Sequence, residues 1–201
     1  MKSQNIRILQ TIALAAGIAV GASAASAAGL LGERYVSATL DYVNWDNDVL
    51  LNNGRGATFT YNQPLNQSID LSAQYSYLRS GLQTTSGHVS GNLFGFSGTW
   101  YSPSQAGKIY VRAGLGWADT NVSDNETLWD VEVGYELLAG KTATVTPFVS
   151  YTDGFKRDVE HSWDFGVRGE IAINKTWSWL LTGSVDDSHD WQFSTGAALR
   201  F

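Results

Sequence analysis

Residues 190–201 read Asp-Trp-Gln-Phe-Ser-Thr-Gly-Ala-Ala-Leu-Arg-Phe. On alternate positions Trp191, Phe193, Thr195, Ala197, Leu199 and Phe201 form one mostly apolar face, while Gln192, Ser194, Gly196, Ala198 and Arg200 form a small or polar one. A period of two is that of a β-strand, whose successive side chains point to opposite faces. Taken alone, the alternation fits any half-buried strand. The sequence stops on aromatic Phe201 with no polar tail, which predicts a strand that closes a sheet with its end at a lipid interface.

At the other end of the sequence, Lys2 and Arg7 precede the apolar run from Ile8 to Val20, and the small-residue segment from Gly21 to Ala28 follows. Basic start, apolar middle and small-residue cleavage site are the three parts of a secretory signal peptide. The apolar middle is too short and too rich in Ala and Gly for a spanning helix, which needs roughly 20 predominantly apolar residues. Ala25 and Ala27 place the expected cleavage after Ala27, giving a signal peptide over residues 1–27 and one domain over 28–201. Removing the first 27 of 201 residues leaves 174, and removing Lys2 and Arg7 from 13 basic residues leaves 11 against 19 acidic ones, a net charge of −8. An acidic exported domain lacks the basic face that nucleic acid requires. The sequence holds no cysteine, so disulfides do not stabilise it, and a closed barrel in lipid is one structure that does without them.

Between these ends nine further segments alternate as the last one does, making ten in all. Val36, Ala38, Leu40 and Tyr42 oppose Ser37, Thr39 and Asp41; Ile69, Leu71, Ala73, Tyr75 and Tyr77 oppose Asp70, Ser72, Gln74 and Ser76. Ile109, Val111, Ala113, Leu115 and Trp117 oppose Tyr110 and Arg112, and Trp129, Val131, Val133, Tyr135 and Leu137 oppose Asp130, Glu132, Gly134 and Glu136. Trp163, Phe165, Val167 and Ile171 oppose Asp164, Gly166, Arg168 and Glu170. In the fourth segment glycines occur on both parities, and Phe94, Phe96 and Trp100 are assigned outward.

A soluble sandwich and a transmembrane barrel both produce such a pattern. A sandwich would turn its polar face to water and enrich it in Lys and long charged side chains. Here that face carries Gly, Ser, Thr and isolated charges of both signs, which suits a narrow lumen. Tyr77, Trp117, Trp129, Tyr151, Trp163 and Trp191 stand at the strand ends beside longer loops, and Tyr61, Trp100, Trp177 and Phe201 beside short turns or the C-terminus. Two such rings match the aromatic girdles of membrane barrels, where Trp and Tyr sit at each interface. Short turns alternate with longer polar loops, among them the stretch from Asp119 to Thr127, and an even strand count puts both termini on the turn side, the periplasm.

On these residues the chain resembles the small Gram-negative outer-membrane barrels of the opacity and attachment-invasion type. The resemblance implies an all-β, antiparallel up-and-down transmembrane barrel, of ten strands with eight as the alternative, that is monomeric and resides in the outer membrane. It also implies that Trp191, Phe193, Leu199 and Phe201 form the signal by which the barrel-assembly machinery recognises the closing strand.

The inward face carries Asp41, Asp70, Asp130, Glu132, Glu136, Asp164, Glu170 and Asp186 against Arg112, Arg168 and Arg200. Charges in a narrow interior are costly unless paired, so the arginines are expected among the carboxylates, plugging the lumen. A small cation-favouring pore is the rival reading. Acidic loop residues, Asp46, Asp48, Asp119, Asp124, Glu126, Asp158, Glu160, Asp186, Asp187 and Asp190, are read as solvated charges that offer a surface to an extracellular partner; divalent-cation binding at the outer rim is the weaker alternative, since no spacing among them matches a calcium loop.

Neither a cofactor nor a metal site is predicted, and the chain is not read as an enzyme. The omptin proteases resemble it in strand number and use His with Asp at the rim, which directs attention to His189 between Asp187 and Asp190 and to His161 before Asp164. Omptin strands extend well above the membrane, further than 174 residues are expected to reach. Lipid A deacylases use Ser and His on the lipid-facing wall, whereas Ser188 and His189 are adjacent in a loop.

Overall fold

The computed structural model describes residues 29–45, 51–83, 87–104, 107–156 and 161–201. The expected signal peptide over 1–27 lies outside them, as do Asp46, Asp48, Asp158 and Glu160. Ten strands follow in order: β1 (Tyr35–Asn44), β2 (Leu51–Pro64), β3 (Ile69–Leu82), β4 (His88–Pro103), β5 (Gly107–Thr120), β6 (Ser123–Leu138), β7 (Ala143–Gly154), β8 (Ser162–Ala172), β9 (Trp177–Asp186) and β10 (Trp191–Arg200). Each pairs antiparallel with its neighbours in sequence, and β1 pairs with β10 from Tyr35 opposite Arg200 to Asn44 opposite Trp191. The ring is closed at ten strands, so the eight-strand alternative falls. Closure leaves no strand edge with unpaired N–H and C=O groups, the condition lipid imposes on any sheet that crosses it.

Side-chain placement is the reverse of a soluble protein's. Leu40 and Phe96 are each 69% exposed, whereas Arg112, Arg168 and Glu132 are 2%, 1% and 0% exposed. Phe94, Phe96 and Trp100 point outward on β4, and Leu93, on the opposite parity to Phe94, is buried inward. Phe148, the one large apolar side chain on the inward parity of β7, is buried in the lumen.

The strands run further than the alternation indicates. The stretch from Asp119 to Thr127, read as a loop, is mostly strand: β5 continues to Thr120 and β6 begins at Ser123, leaving a turn of Asn121 and Val122. Asn121 fastens this turn to β4, accepting from Ser90 N–H at 2.9 Å through its side chain and donating to the His88 carbonyl at 3.2 Å. Likewise β2 already begins at Leu51 and β3 runs to Leu82. Beyond the apolar belt both faces of a strand meet polar surroundings, so the ladder persists while the alternation that reveals it disappears.

Tyr77, Trp117 and Trp129 therefore lie within their strands rather than at the ends, a correction to the sequence expectation. The loop-side ring is nevertheless a contact surface: Trp129 and Tyr151 have ring centroids 5.4 Å apart, Tyr151 and Trp163 4.9 Å, and Tyr42 and Trp191 6.0 Å. At the opposite end Tyr61, Trp100, Trp177 and Phe201 are exposed beside the turns.

Candidate functional site

The inward side chains of the ten strands fill a lumen with three layers. Its loop end holds an apolar cluster of Val43, Trp45, Leu51, Leu78 and Val89, with Leu82 and Val122 packed against it. Trp45 Nε1 donates to Ser80 Oγ at 3.1 Å, satisfying the one polar group this indole carries.

The middle layer is ionic. Arg112 on β5 stands opposite Glu132 on β6 in the ladder. Its Nη2 lies 2.5 Å from Asp130 Oδ2 and 3.4 Å from Glu132 Oε2. Arg168 on β8 reaches the same Glu132 with both terminal nitrogens, Nη1 to Oε1 at 2.7 Å and Nη2 to Oε2 at 2.5 Å. Tyr110 donates its hydroxyl to Glu132 Oε1 at 2.6 Å and accepts from Arg168 Nη1 at 2.8 Å. Tyr110 can lie across the lumen because its ladder partner is Gly134, where a Cβ would fall 2.4 Å from the tyrosine hydroxyl. The Phe148 ring covers Arg168, its centroid 3.9 Å from the guanidinium carbon. Two guanidinium groups thus meet two carboxylates, so the buried charges cancel, which is the arrangement that makes burial tolerable.

The turn end holds two further ion pairs and a second apolar group. Arg200 pairs with Glu170, and Lys108 Nζ lies 3.6 Å from Glu136 Oε1. Leu30 packs with Tyr35, Leu180 and Ala198, and Leu31 with Tyr101 and Tyr110.

The three arginines do not form one network with all the inward carboxylates. Arg112 and Arg168 share Asp130 and Glu132, and Arg200 stands apart with Glu170. Asp41 is held by neutral donors, Thr58 Oγ1 at 2.8 Å and Thr39 Oγ1 at 3.1 Å. Asp70 accepts from Gly32 N–H at 2.9 Å, Asn62 Nδ2 at 3.1 Å and Tyr101 at 3.4 Å. Asp164, opposite Asp186 in the β8–β9 ladder, has no hydrogen-bond partner on either carboxylate oxygen among the described residues.

Sequence reading missed Lys108, Leu30, Leu31 and Trp45. Lys108 shares the parity of Tyr110 and Arg112, a signal that identifies it as inward. The two leucines and Trp45 lie outside the strands, where alternation carries no information.

Among the described residues no group of three or more His, Asp or Glu side chains is arranged to hold a metal ion. His161 stacks on Tyr151 at 5.8 Å between ring centroids, while Asp164 is buried, so those two are not brought together. Ser188 and His189 are exposed in the β9–β10 turn.

No protein-family model and no curated protein matches the chain. Solved structures do. The translocator domain of the autotransporter NalP from Neisseria meningitidis is similar over 100% of this chain and 98% of its own, at 11% identity and a TM-score of 0.53. The β domain of the Bordetella autotransporter BrkA is similar over 85% of this chain and 100% of its own, at 12% identity and a TM-score of 0.56. The chain has the fold of an outer-membrane β-barrel. An outer membrane channel from Pseudomonas putida F1 is also similar to this barrel, over 86% of this chain and 97% of its own, at 7% identity and a TM-score of 0.55. Identities this low speak to the barrel's architecture and leave activity to the residues themselves.

Proposed function

We propose that this chain is an integral protein of the bacterial outer membrane, exported through a cleaved signal peptide over residues 1–27, monomeric, with its turns and termini in the periplasm. Its lumen is closed by its own side chains, and its role is structural or one of surface interaction. The observation that carries the reading is the shared carboxylate of Glu132, held by both Arg112 and Arg168 between apolar layers at the two lumen ends. Paired charges in the middle layer and packed apolar side chains at both ends oppose the passage of an ion. Strands that continue past the loop-side aromatic ring would present Asp119, Asp187 and Asp190 to an extracellular partner; Glu126, expected as a solvated loop charge, is instead buried and pairs with Lys156 at 3.0 Å. The barrel-assembly machinery is the expected partner during biogenesis, recognising Trp191, Phe193, Leu199 and Phe201 on the closing strand.

The competing reading is a narrow cation-favouring channel, and Asp164 is the observation that favours it, since its carboxylate has no hydrogen-bond partner among the described residues. Planar-bilayer recording of the purified protein separates the two. The closed barrel gives little or no steady conductance, and uniform cation-selective steps would replace that reading with the channel.

A further inference from the structure

We infer that the turn-end mouth of the lumen is a peptide-binding site whose resident ligand is the chain's own segment Gly29–Glu33, a plug that can be withdrawn and returned. The inference rests on the closed-lumen reading and adds that this end of the closure is made by main chain rather than by the wall.

The segment spans the mouth. Leu30, 1% exposed, packs on Tyr35, Leu180 and Ala198 of β1, β9 and β10, while Leu31, 3% exposed, packs on Tyr101 and Tyr110 of β4 and β5, across the ring. Its main chain is held by the wall as a bound peptide is held. Gly32 N–H donates to Asp70 Oδ2 at 2.9 Å, Asn62 Nδ2 donates to the Glu33 carbonyl at 2.9 Å, and Lys108 Nζ donates to the Leu31 carbonyl at 2.8 Å. Glu33 N–H closes the turn on the Leu30 carbonyl at 2.9 Å. Gly32 has φ of +93° and a Cβ there would come within 3.0 Å of the Tyr101 hydroxyl, so the turn requires glycine at this position.

None of these contacts belongs to the barrel ladder. The first paired residue is Tyr35, opposite Arg200 on β10 and Asn62 on β2, so the plug can leave without breaking one strand hydrogen bond. Beside it lies an open vestibule of about 460 Å³ lined by Leu31, Gly32, Leu65, Tyr101, Pro103 and Lys108, which gives the segment a way out. Two buried leucines and three tethers favour docking, and ordering five backbone residues opposes it, so the balance is small enough to shift. The empty mouth would offer Asp70 as acceptor and Asn62 and Lys108 as donors, with apolar walls on both sides. That combination selects a peptide with two adjacent leucine-sized residues followed by glycine.

The test uses the full chain in detergent, wild type beside Leu30→Ser and Leu31→Ser combined, and reads binding of a fluorescent synthetic peptide of residues 29–34 by anisotropy. The mouth is filled in wild type and vacated in the double variant, so the variant is expected to bind the peptide about tenfold or more tightly than wild type, and the same peptide with both leucines replaced by serine is expected not to bind. A folded double variant that binds the leucine peptide no better than wild type overturns the plug. Conductance is read separately: the Glu132 layer still closes the lumen when the plug is out, so both proteins are expected to stay silent in planar bilayers, and a conducting wild type overturns the closed-lumen reading whatever the peptide does. Folding is monitored by heat-modifiable gel mobility. If the double variant does not fold, Gly32→Val, which strains the turn and touches no strand pairing, is read by the same binding outcomes.

Discussion

Arg168 on β8 donates two parallel hydrogen bonds to Glu132 on β6, at 2.7 and 2.5 Å, passing over the whole of β7. The planar guanidinium matches both oxygens of one carboxylate, and Tyr110 and Arg112 bring further donors to the same group. Glu132 is therefore the residue on which three strands converge. Removing one partner from such a buried pair strands the other, at a cost of about 3–5 kcal/mol, whereas replacing both with apolar groups is often close to neutral. Glu132→Gln is expected to lower the temperature at which the compact form converts to the slow-migrating form on gels. Combining Glu132→Leu with Arg168→Leu is expected to recover most of that loss.

Val133 and Val167 lie on the exterior wall, 41% and 49% exposed, on β6 and β8. Arg on the lipid-facing wall near the bilayer midplane costs about 2–4 kcal/mol. Val133→Arg and Val167→Arg are each expected to lower folding yield into lipid vesicles, read by urea titration. Full insertion at wild-type stability would remove this wall from the membrane.

The β1–β10 ladder closes the barrel, and Phe201 N–H extends it to the Arg34 carbonyl at 3.2 Å. Deleting Phe201 is expected to leave export intact and slow insertion, so that unfolded chain accumulates. Inserting one residue after Gly196 is expected to be worse, because a one-residue slip turns every side chain on one side of the insertion to the wrong face. Heat-modifiable mobility of the envelope fraction reads both, and unchanged compact form in both variants would contradict the role of this strand.

His189 has φ of +70° in the β9–β10 turn, where Asp186 Oδ1 accepts from the N–H groups of Ser188 and Asp190, each at 2.9 Å. A left-handed backbone costs a residue with a Cβ about 1–2 kcal/mol. His189→Gly is expected to raise stability by up to about 1 kcal/mol, and His189→Val to lower it, measured by the same urea titration.

Much of the wall was legible because lipid outside and a narrow polar interior inside impose opposite chemistry on successive residues. Phe165 and Val167 had to face one way once Asp164 and Arg168 faced the other. Where that contrast ends the signal ends, and so β5 and β6 were read as stopping short of Thr120 and Ser123, which still pair across the turn.

The sequence by itself determined ten strands, their outward faces and the set of charges sent inward, since each follows from local alternation. Only the tertiary structure decided which of those charges meet. Arg168 reaches Glu132 across β7, and Asp70 is left to Asn62 and the Gly32 amide, because the stagger between strands sets the height of each side chain in the lumen. The same is true of Leu30 and Leu31: they belong to no period, and their burial exists only because the closed ring brings β1, β9 and β10 opposite β4 and β5 around a mouth narrow enough for one turn of chain to fill.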